Sequence, residues 1–322
     1  MDRQTLRYGT YLLIISLSFA VLSLLPLYYK QTDNMQGEAV FSEGIGQEIE
    51  TIVIKTPKDN VTLAKDENLW RVSESDMYYA NQKRVGQLLS FIQESRIHRP
   101  IELSDKEFQE NFGTNGTEIT LAGKEGLILG RLIIGKLTYN NRFAYVRYPD
   151  SDRSYLVSHA LKLPEYRYNW LQQPLISIDK GQVQDIIIDK GKKELVIGRD
   201  FPTYPFWIIE GSKLTNKAYP EDLLQQLEKI NFIDVKSVQN FDESTGEGVK
   251  RFQVTTFNGL IAEFTLIKKD KEYWLKQKLT TTSLPTQAVK EYIENNEELS
   301  NYWYFRLSSY TGSKMWNTDL LK

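Results

Sequence analysis

Cysteine is absent from this 322-residue chain, which excludes a disulfide frame and a thiol nucleophile. The two histidines, His98 and His159, are too few for an ordinary zinc site. Charge of one sign is also lacking: 40 Lys and Arg stand against 42 Asp and Glu, a formal net charge of -2. No broad basic field exists to attract nucleic acid. Serines are plentiful, but none lies in a G-x-S-x-G elbow. What remains is ordinary globular material, 41% hydrophobic and 25% charged, enough for a buried core. The length suits about two domains.

One long hydrophobic run stands out. Tyr11 to Tyr29 (YLLIISLSFAVLSLLPLYY) carries no charge. At about 1.5 Å per residue it can cross a hydrocarbon core about 30 Å thick. Arg3 and Arg7 precede it, while Asp33 and Glu38 follow, so the positive-inside rule puts the N-terminus in the cytoplasm. A cleaved signal would need small residues after its apolar core, and here stand Leu24, Leu25, Pro26, Leu27 and Tyr28. The expected layout is a cytoplasmic stretch over 1–9, a single transmembrane signal-anchor helix over 10–29 and a tether over 30–46. The body would then lie on the periplasmic, extracytoplasmic side of the inner (cytoplasmic) membrane.

The body repeats itself. The segment from Ile49 to Leu63 aligns without a gap to Val183–Ile197. Ile49, Ile52, Ile54, Val61 and Leu63 match Val183, Ile186, Ile188, Leu195 and Ile197, each copy reading strand, tight turn, strand. Trp70 and Trp207 follow at matched places, where core packing explains them best. Each is followed by a helix pattern, with Val85, Leu88, Leu89 and Ile92 in one copy and Leu223, Leu224, Leu227 and Ile230 in the other. Further strands are expected from Thr117 to Val157 and from Arg251 to Leu279, and a last helix from Leu284 to Leu299. The expected fold class is α+β: two repeats over 47–178 and 179–322, each a mostly antiparallel sheet with one or two covering helices.

Several spacings imitate chemistry. Gly130-Arg-Leu-Ile-Ile-Gly135-Lys136-Leu137 mimics a phosphate-binding loop, but Leu137 replaces the hydroxyl that holds magnesium and no helix follows. It reads as a strand. Asp150-Ser-Asp152 lacks the ligand set of a calcium loop and reads as a turn. Asp105 and Glu107 form a carboxylate pair with nothing to place them in a cleft. His98 and His159 have no companion ligands and read as surface groups. No catalytic, cofactor-binding or metal residue is therefore assigned, and no cofactor is expected. Aromatic runs at Tyr166–Trp170 and Tyr302–Phe305 suit either core packing or a partner surface.

The ordered set of Tyr78-Tyr79-Ala80-Asn81, Leu132-Ile-Ile-Gly135-Lys136, Ala144-Tyr-Val146, Tyr155-Leu-Val157 and Trp303-Tyr-Phe-Arg-Leu307 resembles the bacterial domain of unknown function DUF4340. The resemblance covers nearly all of the chain beyond the apolar run. It implies a single-span envelope protein beside an ABC-type transport system of the gliding-motility kind, and carries over no catalytic residues. The expected function is thus a non-enzymatic, membrane-anchored accessory or interaction subunit of an ABC-type transport complex. The alternative is a module for envelope glycans or lipids. An envelope hydrolase would need a buried pair of converging carboxylates.

Overall fold

The protein is described from a computed structural model covering residues 35–113, 116–190, 193–211 and 219–316. Among the described residues there are seventeen strands. The first nine are β1 (Thr51–Lys55), β2 (Asn60–Asp66), β3 (Leu69–Val72), β4 (Tyr78–Tyr79), β5 (Ile97–Ile101), β6 (Thr117–Ala122), β7 (Ile128–Leu137), β8 (Ala144–Arg147) and β9 (Ser154–Val157). The rest are β10 (Val183–Lys190), β11 (Lys193–Gly198), β12 (Trp207–Gly211), β13 (Asp234–Ser237), β14 (Gly248–Thr256), β15 (Leu260–Lys269), β16 (Glu272–Thr281) and β17 (Trp303–Leu307). The main helices are α1 (Gln82–Glu94), α2 (Tyr219–Glu228), α3 (Gln287–Asn295), α4 (Glu297–Asn301) and α5 (Ser309–Trp316).

These strands make a nine-stranded sheet, in the order β4-β3-β2-β1-β6-β7-β8-β9-β5, and an eight-stranded sheet, β12-β11-β10-β14-β15-β16-β17-β13. The expected α+β class is corrected: two antiparallel sheets form the body and helices are few. The sequence reading assigned no strand to β3, β4, β5, β12, β13 or β17, and of these β4, β5, β12 and β13 end a sheet order. Edge strands are short and often lack the two-residue hydrophobic alternation. β4 has two residues, and β5 (IHRPI) buries only Ile97 and contains Pro100. The anchor helix expected at 10–29 lies outside the described residues. Among the described residues no helix is long and apolar enough to cross a membrane.

Set aside β4, and the two sheet orders correspond strand for strand. β3-β2-β1 matches β12-β11-β10, β6 to β9 matches β14 to β17, and β5 matches β13. The corresponding helices α1 and α2 precede β5 and β13. The ten apolar positions aligned in the sequence are each no more than 2% exposed. Burying them is the shared instruction that both segments carry.

The compact units do not follow the expected 47–178 and 179–322 boundaries. One comprises the described residues up to Asn60 together with Lys83–Glu165. The other comprises Val61–Gln82 and the chain from Tyr166 onward. In the first, the expected 30–46 tether is corrected over its described part, residues 35–46. Gly37 N donates to Ile97 O at 2.7 Å, Val40 N donates to Ser95 O at 3.1 Å, and Val40, Phe41 and Ile45 are buried. The buried face of α1 is Val85, Leu88, Phe91 and Ile92, the spacing of an amphipathic helix.

In the second unit α2 buries Leu223, Leu224 and Leu227. The expected single helix over Leu284 to Leu299 starts later and divides. Thr286 caps α3, its hydroxyl accepting from Val289 N, and Asn296 separates α3 from α4. Leu284 stays outside, 88% exposed. Trp70 is buried, whereas the side chain of Trp207 lies outside the described residues.

Candidate functional site

The spacings that imitate chemistry have structural explanations. Gly130 and Gly135 lie within strand β7. A Cβ on Gly130 would meet the Phe41 ring at 2.9 Å, and one on Gly135 would meet Asn111 O at 2.6 Å. Both glycines therefore make room for close packing. Glu107 completes a capping box: its carboxylate accepts from Ser104 N at 2.9 Å, and Ser104 holds its pKa below the ordinary value. Asp105 sits in that same first turn. Asp150 pairs with Arg131 at 2.8 Å in the turn between β8 and β9, where Ser151 Oγ accepts from Arg153 N. The His98 ring stacks on Phe143 at 4.4 Å, and His159 Nε2 lies 3.1 Å from Glu94 Oε2. Among the described residues no group of three or more His, Asp or Glu could hold a metal ion.

A built surface feature lies within the second unit, where the segment before α1 meets β13, α4 and β17. Asp76 and Met77 both adopt left-handed backbone, with φ 52° and 61°. Such conformations are uncommon outside glycine and cost about 1–3 kcal/mol each unless the surroundings hold them. Here three hydrogen bonds do so. The Asp76 carboxylate accepts from Ser237 N at 2.8 Å, Ser237 Oγ at 3.0 Å and Asn240 Nδ2 at 2.9 Å. Partial burial alone would raise the Asp76 pKa. The bonds from Ser237 and Asn240 and the nearby charge of Lys236 outweigh it and hold the carboxyl below its usual value.

The next two residues anchor the segment. Tyr78 is fully buried, with its ring edge-on to Phe232, Trp303 and Phe305 at 5.7, 5.1 and 5.8 Å. Such edge-to-face contacts suit aromatic quadrupoles. Tyr79 points its hydroxyl to Glu298 on α4, while the Arg71 guanidinium sits over its ring at 4.5 Å. Burial first, then the bond to Glu298, raises the Tyr79 pKa. Tyr79 O accepts from Gln172 N, and Asn81 N donates to Trp170 O. Of the Tyr166–Trp170 run, Trp170 is buried, while Tyr166, 38% exposed, stacks on Tyr168.

The result is a groove of about 600 Å³ whose lining includes Met77, Val238, Gln239, Tyr302 and Trp303. Met77 is 39% and Tyr302 57% exposed, while Trp303 is buried. Val238 packs on a cluster of Phe241, Ile267, Trp274 and Tyr304, in which Phe241 and Tyr304 stack at 4.2 Å. The acids at the rim, Asp76 and Glu298, are already engaged. What the groove offers a visitor is therefore an adaptable thioether, an aromatic ring and a side-chain amide on a stiff bed. That composition suits a protein contact.

The motif residues Tyr78-Tyr79 and Trp303 were noted in the sequence, and the structure brings them together. Asp76, Met77, Glu298 and Tyr302 as one site were not legible. A left-handed pair without glycine has no sequence signal, and the partners are far apart in the chain. A family model described as "Domain of unknown function (DUF4340)" matches residues 70–247. That stretch includes the Asp76–Tyr79 segment and its partners Ser237 and Asn240. No curated protein and no solved structure matches the chain.

Proposed function

The chain belongs to the DUF4340 family, a domain of unknown function, and from that premise we propose a non-enzymatic envelope protein that docks a partner protein. The partner is a subunit of an ABC-type transport complex. The apolar run of Tyr11 to Tyr29 keeps the chain at the inner membrane, with its body on the extracytoplasmic side. The observation that carries the docking reading is the exposure of Met77 on strained backbone, in a groove that exposed Tyr302 also lines. Strain held by three hydrogen bonds to one carboxylate is a feature that function explains better than packing does.

Residence in the membrane favours a membrane partner, because confinement to one surface raises the partner's effective concentration. The test is crosslinking in cells, then purification of the full chain in mild detergent. Permease or ATPase subunits should be recovered with the parent chain and lost with the double variant Met77→Ala, Tyr302→Ala at unchanged melting temperature. A chain that runs alone, or a double variant that recovers the same subunits, refutes the reading.

A further inference from the structure

The first unit carries a cleft of about 340 Å³ at one end of β7. Its lining includes Lys58, Lys136 and Lys162 against a single acid, Glu165. The other described walls are apolar or neutral. Ile134 and Leu163 are buried, and Leu137 and Leu161 are half-buried. An excess of two positive charges beside an apolar floor selects an anion with an apolar body.

Three features show that the cleft is constructed. First, the β7–β8 register shifts between Ile134 and Leu137, so Gly135 and Lys136 sit at an irregularity of the ladder. Bulges of this kind re-aim side chains and occur often beside binding sites. Second, β6 begins at Thr117 opposite Ile134, so β7 runs on past the end of that neighbour and leaves its far end open on that side. Third, the wall at 161–165 is tied down. Glu165 pairs with Lys58 at 2.5 Å, and Glu165 O accepts from Thr56 Oγ1 at 2.8 Å. Lys136 has no acidic partner among the described residues. The positive groups that line the cleft are lysine ammoniums, so the ligand would be held by these rather than by a phosphate-binding loop.

We infer that this cleft binds a phosphate- or carboxylate-bearing amphiphile, its anionic group on Lys136 and Lys162 and its apolar stem against Ile134, Leu137 and Leu163. The same chemistry can come from an anionic lipid headgroup or from a soluble alkyl phosphate, and the test separates them. The full chain in nonionic detergent is titrated by calorimetry with n-hexyl phosphate, with dihexanoyl phosphatidylglycerol and with dihexanoyl phosphatidylcholine. Saturable binding is expected for at least one of the two anions and not for the zwitterion. Binding of phosphatidylglycerol identifies the lipid source, and binding of hexyl phosphate alone identifies a soluble one.

Lys136→Ala with Lys162→Ala should weaken binding by about tenfold or more, the loss expected when charge-assisted contacts are removed. Both lysines are exposed, so circular dichroism and melting temperature should stay unchanged. Glu165→Gln should strengthen binding by removing the competing acid. Failure of both anions to bind, or an unchanged affinity in the double lysine variant, overturns the inference. Neither result bears on recovery of transporter subunits through the Met77 groove.

Discussion

Asp76 and Ser237 stand 161 positions apart in the chain, yet one carboxylate oxygen of Asp76 accepts both the backbone N–H and the hydroxyl of Ser237, at 2.8 and 3.0 Å. The contact fixes a left-handed turn to the edge strand β13. It also explains why no glycine is needed there: the acceptor charge compensates for the strained backbone. A short segment is thereby held so that Met77 remains outside.

Asp76→Asn isolates the charge, since asparagine tolerates the same left-handed backbone. The folded carboxyl titrates below its ordinary value. Its stabilisation is therefore complete above the unfolded value near 3.9 and is lost as pH falls through the lower folded value. The variant should be less stable at pH 7 by about 1 kcal/mol, a modest figure because the group is only partly buried. Thermal melts at pH 7 and pH 2.5 check this. The gap between parent and variant should close at the lower pH, and a gap that stays constant would discount the charge.

Gly312→Ala should destabilise, although alanine favours a helix over glycine by about 1 kcal/mol. Gly312 lies within α5, and an added Cβ would meet Tyr273 Cγ at 2.3 Å and Cβ at 2.4 Å. Those atoms are the root of the ring and cannot swing aside. Overpacking of this kind costs about 1–3 kcal/mol or more, so the net effect is a loss. Gly46→Ala is the control. Its Cβ would meet the amide end of Gln93, which is exposed and can move. Urea midpoints should fall for the first variant and hardly change for the second.

The core was legible because burial imposes a period. Ile52, Ile54, Ile186 and Ile188 are each 0% exposed, as their alternation requires. The α1 and α2 stripes were legible for the same reason. Edge strands were not, since β5 and β13 face solvent over much of their length and carry charged or proline residues. The weight of strand was underestimated because two clear helical stripes were counted while strands of two to five residues were passed over. Nor could spacing show that Val61–Gln82 groups with the chain beyond Tyr166. That grouping depends on contacts such as Asp76 with Ser237 and Tyr79 with Glu298, and no local pattern encodes them.

Tyr78 should make the fold sensitive to alkali. Burial first, then the negative charges of Tyr79 and Glu298, push its phenol well above the usual value. A raised folded pKa means that its stabilisation is intact below the unfolded value near 10 and is lost as pH rises past it. Tyr78→Phe should be almost neutral at pH 7, because the hydroxyl's bond to Gln172 O is long, at 3.4 Å. The same variant should lessen the loss of stability between pH 9 and pH 11. Tyr78→Ala should cost about 3–5 kcal/mol through the cavity left among the rings. Equal alkaline sensitivity of the parent and the phenylalanine variant would place the effect at other tyrosines.

Gln277→Met should stabilise the protein. Gln277 lies on β16 opposite Phe264, is 1% exposed, and neither its amide oxygen nor its amide nitrogen has a hydrogen-bond partner among the described residues. A buried polar group left unsatisfied costs about 1–3 kcal/mol, whereas methionine is similar in length and fills irregular space. A gain of about 1 kcal/mol is expected, read as a higher urea midpoint at unchanged slope. Gln277→Glu gives the opposite sign. It buries a charge at pH 7, and its stability should recover as acid neutralises the carboxyl. A methionine variant that is less stable than the parent would mean that the amide is satisfied by an internal water, which the apolar side chain evicts without replacing its bonds.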